Sequence, residues 1–351
     1  MIGILTDIII NITIDIIIDT INILNTAIFV QDTVRELLFF LRKKREESKI
    51  KVRIFLDSQK RIRGNHGMNH SINHSANREK TRPLALITGG SSGIGYALAK
   101  EFYVKGYNLV LVGRDEKKLR QAAARLVQGN SKDRRKSHEG SMTYGGIVET
   151  VSCDLTRREE CLRLHKLYQD RPVKVLVNCA GFGVYGQFTE TALQQEMAMM
   201  EVNCGAVHLL MKLFLQDMEK RRVGTILNVA SSAGLVPGGP CMAAYYATKA
   251  YVTSLTQGVA EELRAKHSSI HVAALCPGPV DTPFFGRAGI GASATAATPE
   301  AIARAAMRGL DRAETVIVPG FGNRMACVAA RLLPARMILS VNRRIQEKKK
   351  Q

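Results

Sequence analysis

Leu84-Ala85-Leu86-Ile87-Thr88-Gly89-Gly90-Ser91-Ser92-Gly93-Ile94-Gly95 is a short apolar run that breaks into a glycine cluster, and Tyr96-Ala97-Leu98-Ala99-Lys100-Glu101-Phe102 follows it with helical spacing. The run is too short for a helix, so the pattern predicts strand, tight turn, helix. Glycine suits such a turn because the backbone must reverse sharply and approach a ligand, and a Cβ would obstruct both. The helix presents free N–H groups and its positive dipole end at the turn, which together suit a pyrophosphate. Thr88, Gly89, Ser91, Ser92, Gly93, Ile94 and Gly95 are therefore candidate cofactor-binding residues. The spacing G-x3-G-x-G differs from the common G-x-G-x-x-G fingerprint. Alone, the loop does not separate a phosphate cradle from an ordinary glycine-rich turn.

Downstream, apolar strands alternate with amphipathic helices, the pattern of a parallel sheet covered on both faces. A second strand, Asn108 to Gly113, is followed by Arg114, nineteen residues past Gly95. In a dinucleotide fold this region meets the adenosine ribose: an acid there binds the 2′-hydroxyl of NAD, and an arginine accommodates the 2′-phosphate of NADP. Arg114 with no acid before it favours NADP(H) over NAD(H); the alternative is a surface arginine at a strand end. Asp115, one position on, is expected to point elsewhere. Residues 126–145 are polar and carry several glycines, and read as a long surface loop. A strand from Ile147 to Val151 leads to Cys153-Asp154-Leu155. Asp154 is placed either to accept from an adenine amino group or to cap the next helix, with Leu155 beside it.

Val173 to Val177 is a further buried strand, and Asn178-Cys179-Ala180-Gly181 ends it in small residues where a cofactor would lie; Asn178, Ala180 and Gly181 join the binding set. A helical stretch from Leu193 to about Lys220 carries Asn203 among apolar residues, a position usually held by a satisfied interior polar group. After the strand Thr225 to Ala230 come Ser231 and Ser232, and thirteen residues past Ser232 stands Tyr245, with Lys249 at i+4. On a helix Tyr245 and Lys249 share a face. Tyrosine, with a reference pKa of about 10, is a poor acid–base catalyst near neutrality, and a nearby ammonium favours its phenolate. The alternative is an exposed helical pair.

The chain has 351 residues, enough for one large α/β domain with appendages, and a formal net charge of +19. The basic excess suits a phosphate-bearing cofactor or acidic lipid. Without interleaved aromatic residues it argues against nucleic-acid binding. Seven cysteines with no C-x-x-C pair read as buried thiols in a reducing, cytoplasmic setting, not as a disulfide framework or metal site.

Composition changes near residue 82, so residues 1–82 form a separate extension. Residues 2–30 are rich in isoleucine, with Asp7, Asn11, Asp15, Asp19, Asn22 and Asn25 recurring at helical spacing, and Arg42-Lys43-Lys44-Arg45 follows. Three aspartates would each cost about 2.5–3.5 kcal/mol inside a bilayer, so a helix lying in the interface fits better than a span. A low-complexity extension is the alternative. The segment lacks the basic start and cleavage site of a secretory signal. His66, His70 and His74 at four-residue spacing sit among Gly, Ser and Asn and read as linker rather than metal ligands. At the other end, residues 323–351 alternate apolar residues with arginines, a tail suited to acidic lipid or to covering a cleft. Membrane contact is thus expected through residues 1–45 or this tail.

Taken together, Thr88-Gly89-x3-Gly93-Ile94-Gly95, Asn178-Cys179-Ala180-Gly181, Asn203, Ser232, Tyr245-x3-Lys249 and Cys276-Pro277-Gly278-Pro279-Val280-Asp281-Thr282 resemble the short-chain dehydrogenase/reductase family over about residues 83–320. Cys179 departs from the family's usual Asn-Asn-Ala-Gly. Local wording around Tyr245 and Cys276 is similar to a DltE-like subgroup, with a weaker likeness to 3-ketodihydrosphingosine reductases and membrane-bound 17β-hydroxysteroid dehydrogenases. The resemblance implies an α/β fold with a Rossmann-like doubly wound sheet of about seven parallel strands over residues 83–322. It implies Tyr245 as proton donor or acceptor, Lys249 on the nicotinamide ribose, Ser232 on the substrate oxygen, and Asn203 holding a water toward Lys249. Pro277, Gly278, Val280 and Thr282 join the cofactor set, and 283–299 becomes a substrate lid. The expected protein is a homo-oligomeric, NADP(H)-dependent oxidoreductase interconverting a carbonyl, lipid-like among the options, and an alcohol. The alternative is a weakly catalytic scaffold acting through membrane or partner contacts.

Overall fold

Strand β1 (Leu84–Thr88) is buried along its whole length. Its alternation sends Ala85 and Ile87 into one apolar core and Leu84 and Leu86 into another. The computed structural model describes residues 82–133, 146–284 and 296–347, with backbone only at 129–133. Among these, β1, β2 (Asn108–Gly113), β3 (Val148–Ser152), β4 (Val173–Asn178), β5 (Thr225–Val229), β6 (His271–Leu275) and β7 (Val316–Ile317) form one parallel sheet in the order β3-β2-β1-β4-β5-β6-β7. The chain winds outward one way from β1 to β3 and the other way from β4 to β7. The reversal between β1 and β4 opens a crevice at the carboxyl ends of the strands, where ligands of such sheets bind.

One face is covered by α1 (Gly93–Val104), α2 (Glu116–Asp133) and α7 (Pro299–Asp311), whose Leu98, Leu119 and Ala306 meet Ile87, Leu111 and Leu275. The other is covered by α3 (Arg158–Tyr168), α5 (Val207–Arg221) and α6 (Ala243–Ala265). There Leu164, Phe214 and Leu263 meet Leu86, Leu176 and Val272. Each fully buried Leu or Phe contributes on the order of 1.5–3 kcal/mol relative to exposure.

The stretch expected as one helix from Leu193 is α4 (Leu193–Met200), a widened π turn at Glu201–Ala206, and then α5. Together Leu193–Arg221 is long and apolar enough to cross a membrane by length and composition, yet Leu210, Phe214 and Met218 lie in the domain's core. The loop expected from residue 126 starts later, because α2 continues to Asp133; Leu119, Ala122 and Leu126 recur at helical spacing and are buried. Asp115 accepts from the N–H of Lys118 at 3.0 Å, at the start of α2. The last strand is only two residues long, and α8 (Phe321–Leu332) and α9 (Ala335–Glu347) follow it. Residues 1–81, most of the expected lid (285–295) and the terminal lysines lie outside the described residues.

Candidate active site

The glycine loop folds as its composition requires. Gly89 and Gly93 take φ of +68° and +54°, values that disfavour a side chain. A Cβ on Gly95 would stand 2.3 Å from the Gly89 carbonyl oxygen, and one on Gly89 would stand 3.0 Å from the Ala180 backbone. Ser92 is the N-cap position of α1, but its side chain makes no cap hydrogen bond, so the first-turn N–H groups of Gly93, Ile94 and Gly95 face the loop. This cradle of bare backbone, which any Cβ would fill, fits a dinucleotide pyrophosphate.

Thr88 ties the floor of the crevice together. Its hydroxyl oxygen accepts from the N–H groups of Cys179 and Ala180 at 3.0 and 3.1 Å, fixing the end of β4 against the end of β1. Asn178 donates to Asn228 at 2.9 Å, and Asn228 to Thr256 at 2.9 Å, a polar chain running through buried side chains. Thr282 packs its methyl against Gly93, where a Cβ would come within 3.0 Å. Gly278 is held beside Asn323, whose amide donates to the Cys276 carbonyl at 3.4 Å. Val280 bridges to Ala297 in parallel pairing. Two expected residues stand apart, at the ends of the next strands. Arg114 is exposed after β2, its carbonyl accepting from Ser152 Oγ at 3.2 Å. Asp154 follows β3 and accepts from the N–H and hydroxyl of Thr156 at 3.1 and 2.9 Å, so it caps a turn rather than a helix. Leu155 is in the core.

Tyr245 and Lys249 lie on the buried face of α6 with Thr248, Val252 and Thr256, not on an exposed one. The lysine is 6% exposed and donates to the Val229 carbonyl at 2.9 Å. Burial lowers its pKa. The Tyr245 phenol is pushed up to about 12 by burial, against the lowering effect of a hydrogen bond with Ser231. Ser231 Oγ also accepts from the Ala233 N–H at 3.2 Å and donates to Pro277 O at 3.5 Å, and Ser232 gives its backbone N–H to the same carbonyl at 2.8 Å. Ser231, one residue before the position obtained by counting back thirteen, is thus a second candidate beside Ser232 for the hydroxyl that acts with Tyr245. The connection from the serines to Tyr245 is kinked: Gly238 and Cys241 take φ of +37° and +63°, and a Cβ on Gly239 would strike the Tyr246 ring at 2.3 Å. The Ser-Ser pair was the sequence signal for this ambiguity.

Asn203 sits in the π turn, fully buried. Its amide donates to Phe182 O at 2.9 Å and Thr248 Oγ1 at 3.1 Å, and its oxygen accepts from the Phe182 N–H at 3.1 Å. A Cβ on Gly181 would fall 2.9 Å from Asn203 Oδ1 and 3.5 Å from Lys249 Nζ, so the glycine keeps the space between these two groups open. Around Tyr245 lie residues that sequence reasoning missed. The Phe284 ring centroid is 5.3 Å from that of Tyr245, and Met199, Met242, Phe182 and Val184 complete an apolar wall.

A sequence profile described as short chain dehydrogenase matches residues 83–290. The chain belongs to the short-chain dehydrogenase family. An uncharacterised oxidoreductase of Staphylococcus saprophyticus is 33% identical over 237 residues, 67% of this chain and 94% of that one. A 3-dehydrosphinganine reductase of Danio rerio is 33% identical over 204 residues, 57% of each chain. Among solved structures, a short-chain dehydrogenase from Sphingobium yanoikuyae in complex with NADPH is 32% identical with a TM-score of 0.62, covering 71% of this chain and 94% of that one. The bulky-bulky ketone specific alcohol dehydrogenase from Comamonas testosteroni is 28% identical with a TM-score of 0.58, covering 71% and 92%. This short-chain dehydrogenase is an oxidoreductase that transfers a hydride between a nicotinamide cofactor and an alcohol or ketone.

Proposed function

We propose that this enzyme reduces a hydrophobic, lipid-like ketone with NADPH, and that Tyr245 is its proton donor. The observation that carries the reading is the buried Tyr245–Lys249 face set against an apolar wall that includes Phe284 and Met242. A phenol held near pKa 12 is protonated throughout the neutral range, which suits donation to a carbonyl oxygen rather than abstraction from an alcohol. The bound nicotinamide supplies the hydride, and the protein supplies position and charge. Ser231, on the phenol's side of the loop, donates to the same substrate oxygen and stabilises its developing charge. Lys249, anchored at the end of β5, holds the nicotinamide ribose. The gap kept open by Gly181 accommodates a water between Asn203 Oδ1 and Lys249 Nζ, through which the proton lost by Tyr245 is replaced. Arg114 meets the 2′-phosphate. The Danio protein is named for 3-dehydrosphinganine and the Comamonas one for bulky-bulky ketones, in keeping with the apolar wall. Retention of tyrosine, lysine and a serine hydroxyl in one buried cluster argues against a scaffold that has lost its chemistry.

The test is a ketone panel of increasing chain length, followed by nicotinamide absorbance with NADPH and NADH in parallel. Rising kcat/KM with apolar length, and preference for NADPH, are expected. Turnover confined to small polar carbonyls, or faster turnover with NADH, would overturn the reading.

A further inference from the structure

Helix α8 packs on the domain through small or polar side chains. Cys327 and Ala330 are buried, and Asn323 donates to the carbonyls of Cys276 and Pro319. Its large apolar residues, Phe321, Met325, Val328 and Leu332, recur at i, i+4, i+7 and i+11, so they form one stripe. That stripe faces away from the domain, with Phe321 and Leu332 each 81% exposed. Helix α9 repeats the arrangement: Asn342 and Gln346 turn inward, while Met337, Val341 and Ile345 are exposed. Residues 321–347 carry five arginines, all exposed, against one acid, Glu347. Arg324 and Arg331 stand at one edge of the α8 stripe.

Contiguous exposed apolar side chains at helical spacing mark a contact surface. What covers this one must be apolar and negatively charged. A second copy applied through the same patch would set arginines against arginines, and the chain as a whole is +19. We propose that the outward face of α8 and α9 docks on an anionic phospholipid bilayer, with Phe321 and Leu332 entering the headgroup boundary and the arginines on lipid phosphates. The inward side of α9 gives the docking a purpose. Gln346 donates to Tyr246 Oη at 3.0 Å, Tyr185 donates to the Gln346 carbonyl at 2.8 Å, and Asn342 donates to the Gly238 carbonyl at 3.0 Å. One helix therefore offers one side to the bilayer and clasps with the other the loops beside Tyr245; on the proposed reading of an apolar substrate, docking would bring the site to the phase that holds that substrate.

The experiment is co-sedimentation of the full chain with phosphatidylcholine vesicles, with and without phosphatidylserine. Binding is expected only with phosphatidylserine and is expected to weaken with added salt. Phe321→Ser/Leu332→Ser should lower the partition coefficient by about tenfold or more, and Arg324→Gln/Arg331→Gln by about tenfold. The thermal unfolding midpoint serves as the control for an intact fold. Should the serine pair not fold, the glutamine pair, which replaces exposed side chains only, decides. Wild-type partition retained by the folded variants would overturn the proposal, because the anchor would then lie elsewhere, for example in residues 1–45. So would equal binding to neutral vesicles, no vesicle binding at all, or a lipid-free oligomer that the variants dissociate in sedimentation velocity.

Discussion

Lys249 brings its ammonium to 5.9 Å from the centre of the Tyr245 ring but gives its hydrogen bond to the Val229 carbonyl, 2.9 Å away. The lysine is thus fixed by the end of β5, and the phenol takes its hydrogen bond from the Ser231 side rather than from the ammonium. Burial acts on the two groups in opposite senses, lowering Lys249 and raising Tyr245.

Replacing Tyr245 with Phe removes the proton donor and little volume. Turnover should fall by about 10²–10⁴-fold, the usual worth of a positioned acid, while the fluorescence titration of NADPH stays within error of wild type. Near wild-type kcat would assign the proton transfer to another group.

The raised phenol pKa also sets the pH dependence. Below about 12 the group carries its proton, so kcat for ketone reduction should be flat across neutrality. Oxidation of the alcohol needs the phenolate, whose fraction grows about tenfold per pH unit below the pKa. Steady-state rates in both directions, taken from about pH 6 to pH 9, should therefore diverge with rising pH. Parallel profiles would show that Tyr245 is not the titrating donor.

Ser231→Ala and Ser232→Ala separate two adjacent hydroxyls. Loss of the one that steadies the developing oxyanion should cost about 10²–10³ in kcat. The effect is expected at Ser231, with less than about tenfold at Ser232, whose observed bond is made by its backbone N–H. The reverse ranking in kcat would return the role to Ser232.

Arg114→Ala should raise KM for NADPH by about ten- to a hundredfold, the loss of one charge-assisted contact of roughly 1.5–3 kcal/mol. NADH, without the phosphate, should be little affected. Lys118 is a poor substitute because it pairs with Asp115 at 3.2 Å. Equal losses for both cofactors would make Arg114 structural.

Gly95→Ala places a methyl where the Gly89 carbonyl oxygen stands, 2.3 Å from its ideal position. The loop must open to admit it. Cofactor affinity should drop by more than about tenfold, with a lower thermal midpoint; unchanged binding measured by calorimetry would show that the loop has room to yield.

The parts of this enzyme that could be read in advance are those written in local pattern. The turn from Thr88 to Gly95 and the Tyr245–Lys249 face each depend on neighbours within one or two turns of chain. Ser231 and Ser232 could not be separated that way, since which hydroxyl meets Tyr245 depends on the path of Gly238 to Cys241 through positive φ. Asn203 could be picked out, but not the π turn that carries it or its bonds to Phe182. Phe284 and Gln346 reach the site from 39 and 101 residues beyond Tyr245, and only the packed fold brings them there.

The two margins of the sheet differ in a way that bears on how copies of this chain can meet. β7 offers two residues and runs into Val318-Pro319, and proline has no N–H to donate. At the far margin β3 carries Glu149 at its second position, gripped by both terminal nitrogens of Arg171 at 2.8 Å and by Tyr168 at 3.1 Å. A strand from another molecule arriving there would have to settle beside that fixed charge. Among the described residues neither margin is a ready template for strand addition, so pairing of one copy's sheet with another's through these edges is disfavoured.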